Sequence, residues 1–192
     1  MLDKRLIIVG GKGGVGRTTV SAALGLALAA RGRKTLLTHV RCERCDELLG
    51  RLLGCDPVGE QIMQADENLW VVNMNPRAAI REMGMMVLRF RAIYRAVLEN
   101  KIVRSFLRAV PALDDYSMIG KAWYHTTEQD HHGLPRYDTV IFDGPATGHL
   151  ISMLRIPQVI LDAVPEGPLT NDARKARELL SERAETSMLI VT

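Results

Sequence analysis

The chain has 192 residues, of which 47% are hydrophobic and 24% are charged, and its formal net charge is +3. A chain of this size buries one core, so we expect a single domain over residues 1–192. Because no run of eighteen apolar residues occurs and residues 1–5 lead directly into an apolar stretch, the sequence predicts neither a membrane span nor a secretory signal. The expected location is the cytoplasm.

The first predicted elements are a strand near residues 4–10, a glycine-rich loop and a helix over 17–31. Glycines let the backbone of such a loop curl with its N–H groups inward, and the helix behind adds the positive end of its dipole. We therefore predict a phosphate-binding loop, with the alternative that it is a turn that binds nothing. Its candidate residues are Gly11, Lys12, Gly13, Gly14, Val15, Gly16, Arg17, Thr18 and Thr19.

The segment from Gly11 to Thr18 fits the Walker A pattern G-x-x-x-x-G-K-[ST] except that Arg17 replaces the lysine. A guanidinium keeps the positive charge but is longer, planar and forked, so it need not reach the phosphates along the path of a compact ammonium. Thr18 keeps the hydroxyl that ligates Mg²⁺ in such loops. We therefore expect phosphate binding with weakened hydrolysis.

A second strand near 34–38 and a helix near 45–53 flank the segment that contains His39, Cys42 and Cys45. The C-x-x-C spacing with a nearby histidine suits a metal ion or a redox pair, but it lacks the second pair that a structural zinc site needs. The alternative is that these are small residues near a helix start. The sequence does not decide whether Cys42 and Cys45 bind a metal or metalloid, and we do not predict such a site.

The third strand, near 69–74, is followed by a long helical pattern over 78–125, which we describe as an insert of about 76–130. Residues 76–110 contain eight basic and two acidic side chains, and apolar residues recur among them at helical spacing. These amphipathic, basic helices suit a protein client or a membrane-protein partner. The alternative is that they pack on their own sheet and expose solvated arginines.

The stretch from Tyr137 to Asp143 predicts a buried parallel strand that ends in an acid. Ligands of open α/β sheets bind beyond the carboxyl ends of the strands, so Asp143 and Thr18 are expected to converge on one Mg²⁺ ion. The alternative is an aspartate that caps the following turn.

Helices near 148–154 and 170–183 and a last strand near 187–192 complete the pattern. Strands that alternate with helices indicate an α/β fold with a doubly wound, mostly parallel sheet, as in P-loop NTPases, here with a helical insert. The chain stops at a strand of core character, so we expect the sheet to be incomplete at the C-terminus.

Two motifs resemble those of a known family. The stretch from Lys12 to Thr19 is similar to the deviant Walker A of the MinD/ParA superfamily, and Asp143–His149 is similar to the switch II of the arsenite-pump and tail-anchored-protein targeting ATPases, with the proline moved by one residue. The resemblance extends over nearly the whole chain, although strong motifs are confined to these two loops. It also implies that the C-terminal part of the family domain is missing from this sequence.

This resemblance implies a cytoplasmic, dimeric ATPase with ATP at the interface and Mg²⁺ as cofactor, in which Lys12 reaches the partner's nucleotide and Asp143 completes the metal shell. His39 stands where the family has a water-orienting aspartate, unless Glu43 or Asp46 serves instead. Slow hydrolysis is therefore expected, coupled to switching of the client-binding insert, with no nucleic-acid partner. The alternatives are a pseudo-ATPase scaffold that has lost the chemistry and a MinD/ParA-type positioning ATPase.

Overall fold

The centre of the fold is a six-stranded sheet with the strand order β3-β4-β2-β5-β1-β6. The computed structural model describes residues 2–40, 46–75, 113–163 and 165–192. All neighbouring strands are parallel except β3, which runs antiparallel to β4. The strands are β1 (Leu6–Gly11), β2 (Thr35–Val40), β3 (Met63–Asp66), β4 (Leu69–Met74), β5 (Thr139–Asp143) and β6 (Thr186–Val191).

Five described helices connect these strands and cover both faces of the sheet. They are α1 (Arg17–Ala29), α2 (Asp46–Leu53), α3 (Leu113–Thr127), α4 (Thr147–Ala163) and α5 (Pro168–Ser181). The predicted α/β fold with a mostly parallel, doubly wound sheet is confirmed. The parallel strands end together at one side of the sheet, which we call its carboxyl end, and begin at the opposite side, its amino end.

The side-chain alternation of the strands produces two separate cores. On β1, Leu6 and Ile8 face one layer, whereas Ile7 and Val9 face the other. Because successive side chains of a strand point to opposite faces, a continuous apolar strand requires helices on both sides. The first layer is completed by α3, α4 and α5, and the second by α1 and α2.

Two elements differ from the sequence-based prediction. The strand β3 was not predicted; it forms a hairpin with β4 through Glu67 and Asn68, and Asn68 has a φ of 60°. The helix predicted over 148–154 extends to Ala163 through Pro157. Proline removes one backbone donor and usually ends a helix, but here its ring is buried in the core layer, so packing compensates for the lost hydrogen bond.

The insert lies largely outside the described residues. Of the predicted helical region 78–125, the structure describes α3, and it gives no information on 76–112. Among the described helices, none combines the length and apolar character that crossing a bilayer requires.

Polar side chains tie the amino end of the sheet together. The Arg5 guanidinium donates hydrogen bonds to the carbonyls of Thr126, Tyr137 and Asp138, with 2.6 Å from Nη1 to the Tyr137 oxygen. The Thr139 hydroxyl donates to the Lys4 carbonyl at 2.8 Å. These contacts anchor the C-terminal end of α3 to the start of β5.

Candidate functional site

The loop between β1 and α1 is open and strongly curved. Gly14 and Gly16 have φ values of 82° and 89°, in the left-handed region that favours glycine. A Cβ atom added to Gly13, Gly14 or Gly16 would meet no atom within 4 Å among the described residues. Gly11 differs, because a Cβ there would lie 2.4 Å from the Val191 carbonyl oxygen of β6. Among the described residues, close packing therefore ends at Gly11, and no described atom fills the space beside the glycines that follow it.

The loop also carries main-chain donors that the rest of the described chain does not use. No main-chain carbonyl in the described ranges accepts a hydrogen bond from the N–H groups of Gly13, Gly14, Val15 or Gly16. The first N–H groups of α1 likewise have no partner within the helix, and its first turn contains no acidic residue. Unpaired donors at a helix N-terminus are the usual recognition elements of a phosphate group.

Arg17, the residue that departs from the Walker A pattern, contacts the other predicted loop. It is the first residue of α1 and is partly buried, and its Nη1 donates a hydrogen bond to the carbonyl of Gly144. Gly144 immediately follows Asp143 at the carboxyl end of β5. The structure thus brings the two loops predicted from sequence together through one side chain.

Asp143 forms a buried pair with His39. The distance from His39 Nδ1 to Asp143 Oδ2 is 2.7 Å, and the two residues are 7% and 2% exposed. The strand register places them directly opposite each other on β2 and β5. A buried carboxylate accepts hydrogen bonds, so we assign the donated proton to Nδ1. His39 Nε2 is buried, and nothing in the described part of the chain hydrogen-bonds to it.

The other candidate residues vary in their placement. Lys12 and Thr19 are exposed, and Thr18 is partly exposed in the first turn of α1. Asp46 is the first residue of α2, and His149 lies exposed in the first turn of α4. Glu43, Cys42 and Cys45 lie outside the described residues. The roles assigned to the loop residues, Lys12 and Asp143 remain predictions.

Neither of the two contacts at Asp143 and Gly144 was predicted. The His39–Asp143 pair follows once the strand bounds and register are known, because each is the fifth residue of its strand and the two parallel strands start in register. The strands predicted from sequence had other bounds and placed His39 just after its strand. The contact between Arg17 and Gly144 had no signal in the sequence, since loop conformation decides which carbonyl faces the guanidinium.

The sequence profile named anion-transporting ATPase matches residues 4–166. The chain belongs to this family. The match includes both the loop after β1 and the loop after β5, which confirms the family resemblance identified from their motifs.

Curated relatives support the same assignment. ATPase BagA of Mycobacterium tuberculosis is 30% identical over 193 residues, covering 98% of this chain and 56% of the relative. ATPase GET3 of Kluyveromyces lactis is 29% identical over 163 residues, covering 81% and 46%, and ATPase GET3 of Lachancea thermotolerans is 28% identical over 160 residues, covering 80% and 45%. The chain spans about half the length of the curated relatives it matches.

Proposed function

We propose that this chain binds ATP, with the phosphates in the loop between β1 and α1. The observation that carries the proposal is the set of unused N–H groups from Gly13 to Gly16 in an open, left-handed loop. Successive N–H groups of a curved, glycine-rich loop that no described carbonyl uses are available to an anion, and such loops form anion-binding concavities. Family membership supports ATP as the anion, because the relatives are named ATPases.

Magnesium is the proposed cofactor of the bound nucleotide. The Thr18 hydroxyl and the Asp143 carboxylate are hard oxygen donors of the kind that Mg²⁺ prefers, so the donor set fits this ion. Asp143 lies opposite Val9 in the register of β5 and β1, beside the strand that leads into the loop. When bound, Mg²⁺ would neutralise phosphate charge. His39 holds one Asp143 oxygen by a hydrogen bond, which fixes the direction of the carboxylate.

The active species is proposed to be a cytoplasmic homodimer with nucleotide at its interface. Lys12 supports this arrangement, because it is exposed on the phosphate-binding loop and is therefore accessible to a second copy. We take residues 1–192 as one ATPase domain, with the insert at about 76–130 as the region that binds a client protein. Nucleotide-dependent switching of that region is part of the proposal.

Hydrolysis is proposed to be slow. Arg17 replaces the motif lysine and donates to Gly144. His39, which by resemblance stands where the family has an aspartate, donates to Asp143. Loss of a water-orienting group costs on the order of 10²- to 10⁴-fold in rate, judged from the worth of general base catalysis. These two contacts also favour a second candidate, a pseudo-ATPase scaffold that binds ATP without hydrolysing it.

Isothermal titration calorimetry with ATP tests the binding proposal. We expect wild-type protein to bind ATP in the presence of Mg²⁺ and Thr18→Ala to bind at least about tenfold more weakly, a loss of about 1.4 kcal/mol. Because the Thr18 hydroxyl is proposed to act through the metal, the two proteins should bind alike when EDTA replaces Mg²⁺. Thr127→Ala, a matched change at the exposed end of α3, is the control. Wild-type protein that gives no heat in either buffer would refute the nucleotide site.

Single-turnover hydrolysis separates the two candidates. With protein in excess over radiolabelled ATP, slow phosphate release that Asp143→Asn abolishes supports the ATPase. ATP that stays intact over many hours while calorimetry shows binding supports the scaffold.

A further inference from the structure

The Arg17 side chain directly connects the loop after β1 with the loop after β5. Its Nη1 contact with the Gly144 carbonyl joins residues 127 positions apart in the sequence. A guanidinium carries five N–H donors in one plane, so a single carbonyl contact leaves further donors for another acceptor. Arg17 can therefore contact Gly144 and a phosphate oxygen simultaneously.

Gly144 is well placed to transmit such a contact. Its own N–H donates to the Val9 carbonyl of β1 at 3.1 Å. A Cβ atom at this position would lie 2.9 Å from Leu150 Cδ1, so the backbone of Gly144 packs against α4. Leu150 is fully buried, and its N–H donates to the Ala146 carbonyl at 3.0 Å. A displacement of Gly144 must therefore disturb the end of β1 or the first turn of α4.

We propose that Arg17 is a positioning residue that couples phosphate occupancy to residues 144–150, a proposal that rests on the proposed nucleotide site. One guanidinium N–H stays on the Gly144 carbonyl while the others contact the phosphate, so the bound anion orders the loop after β5. A lysine at this position has a single nitrogen on a flexible stem and lacks the planar fork needed to serve both acceptors in fixed geometry. In this proposal, the arginine that replaces the motif lysine links the phosphate to the loop after β5.

Hydrogen–deuterium exchange of the ligand-free protein tests the contact itself. We expect Arg17→Met to speed amide exchange in the peptide 144–150 by about tenfold, the loss of one charge-assisted hydrogen bond. Arg31→Met, a matched change at an exposed residue just after the end of α1, should leave this peptide unchanged. A change of less than about twofold in Arg17→Met would overturn the proposal without any nucleotide being involved.

The coupling is tested by adding a non-hydrolysable ATP analogue. The analogue should slow exchange in 144–150 of wild-type protein at least about fivefold, whereas Arg17→Lys should bind it within about tenfold of the wild-type affinity and show little slowing. Wild-type binding without slowing, or full slowing in Arg17→Lys, would refute the coupling and leave the nucleotide site standing. Absence of binding by wild-type protein in calorimetry would refute the proposed function and the coupling together.

Discussion

The two ends of the sheet use polar side chains in different ways. At the amino end, the polar side chains form hydrogen bonds within the chain. Arg5 donates to three carbonyls, and Arg33 donates to the Thr139 hydroxyl at 2.9 Å. At the carboxyl end, the loop from Gly13 to Gly16 keeps donors that no described carbonyl uses. The polar groups of the amino end therefore serve stability, whereas the loop at the carboxyl end keeps hydrogen-bond donors that the described residues leave available.

The His39–Asp143 pair at the carboxyl end is an exception, because its polar groups are hydrogen-bonded within the chain. His39 and Asp143 are as buried as the core and are hydrogen-bonded to each other, so they contribute to stability and to the site at once. Variants at the two ends sharpen the comparison, because they separate changes in stability from changes in nucleotide affinity.

The largest effect is expected at Asp143. We predict that Asp143→Leu lowers the free energy of unfolding by about 3 kcal/mol, because it leaves the buried His39 Nδ1–H without its acceptor. Urea unfolding measures this change. Since removing both polar partners can be nearly neutral, the double variant His39→Leu, Asp143→Leu should be more stable than Asp143→Leu alone. Additive losses in this cycle would show that the pair has no energetic coupling.

The second effect concerns the amino end. We predict that Arg5→Met lowers the free energy of unfolding by about 2–3 kcal/mol, because the carbonyls of Thr126, Tyr137 and Asp138 lose a charged donor. ATP affinity should stay within about twofold of wild type, as judged by calorimetry. Arg31→Met should change stability by less than about 0.5 kcal/mol. A large loss of ATP affinity in a folded Arg5→Met protein would break the comparison.

The third prediction concerns Lys12, where we expect a change in ATP affinity without a change in stability. We predict that Lys12→Met lowers ATP affinity about tenfold, the loss of one charge-assisted phosphate contact, and leaves urea unfolding unchanged because Lys12 is exposed. Lys34→Met, which changes an exposed lysine at the amino end, is the matched control for overall charge. Equal affinity of the two variants would contradict a phosphate role for Lys12.

The smallest effect is expected at Tyr137. Its hydroxyl is buried and has no hydrogen-bond partner among the described residues, so Tyr137→Phe should be neutral or stabilising by up to about 1 kcal/mol at pH 7. Burial raises the pKa of the Tyr137 phenol above its ordinary value of 10.0. The stability that this raised pKa contributes is present below pH 10.0 and is lost as the pH rises through the folded-state pKa.

Urea unfolding at pH 7 and at about pH 10.5 checks this prediction. Wild-type protein should lose more stability than Tyr137→Phe between the two values, because only the wild-type residue ionises more readily when unfolded. A clear loss of stability in Tyr137→Phe at pH 7 would show that the hydroxyl is satisfied.

The fold was predictable because its strands are strongly apolar and its turns carry clear signals. The burial of β1 and β5 follows directly from their continuous apolar sequences. The strand β3 escaped prediction because Met63–Asp66 is short and only partly buried, although the positive φ of Asn68 is typical of a hairpin turn. The end of α4 was misplaced because Pro157 carries a local signal that core packing overrides.

The conformation of the loop after β1 was predictable because glycine spacing after a strand specifies backbone conformation, and the φ values of Gly14 and Gly16 agree with it. Phosphate binding by this loop remains a prediction. The hydrogen-bond partners of Arg17 and His39 were harder to predict, because they depend on side-chain directions and on loop geometry between segments that are far apart in sequence. Strand register could have indicated the His39–Asp143 pair, but no local pattern points from Arg17 to Gly144.

The most direct test of the nucleotide site is the NMR titration of backbone amide signals with ATP and, separately, with adenosine. We predict that the amides of Gly13, Gly14 and Gly16 shift strongly with ATP and little with adenosine, because the phosphates contact their N–H groups. Unchanged glycine signals at saturating ATP, or equal shifts with both ligands, would contradict phosphate binding in this loop.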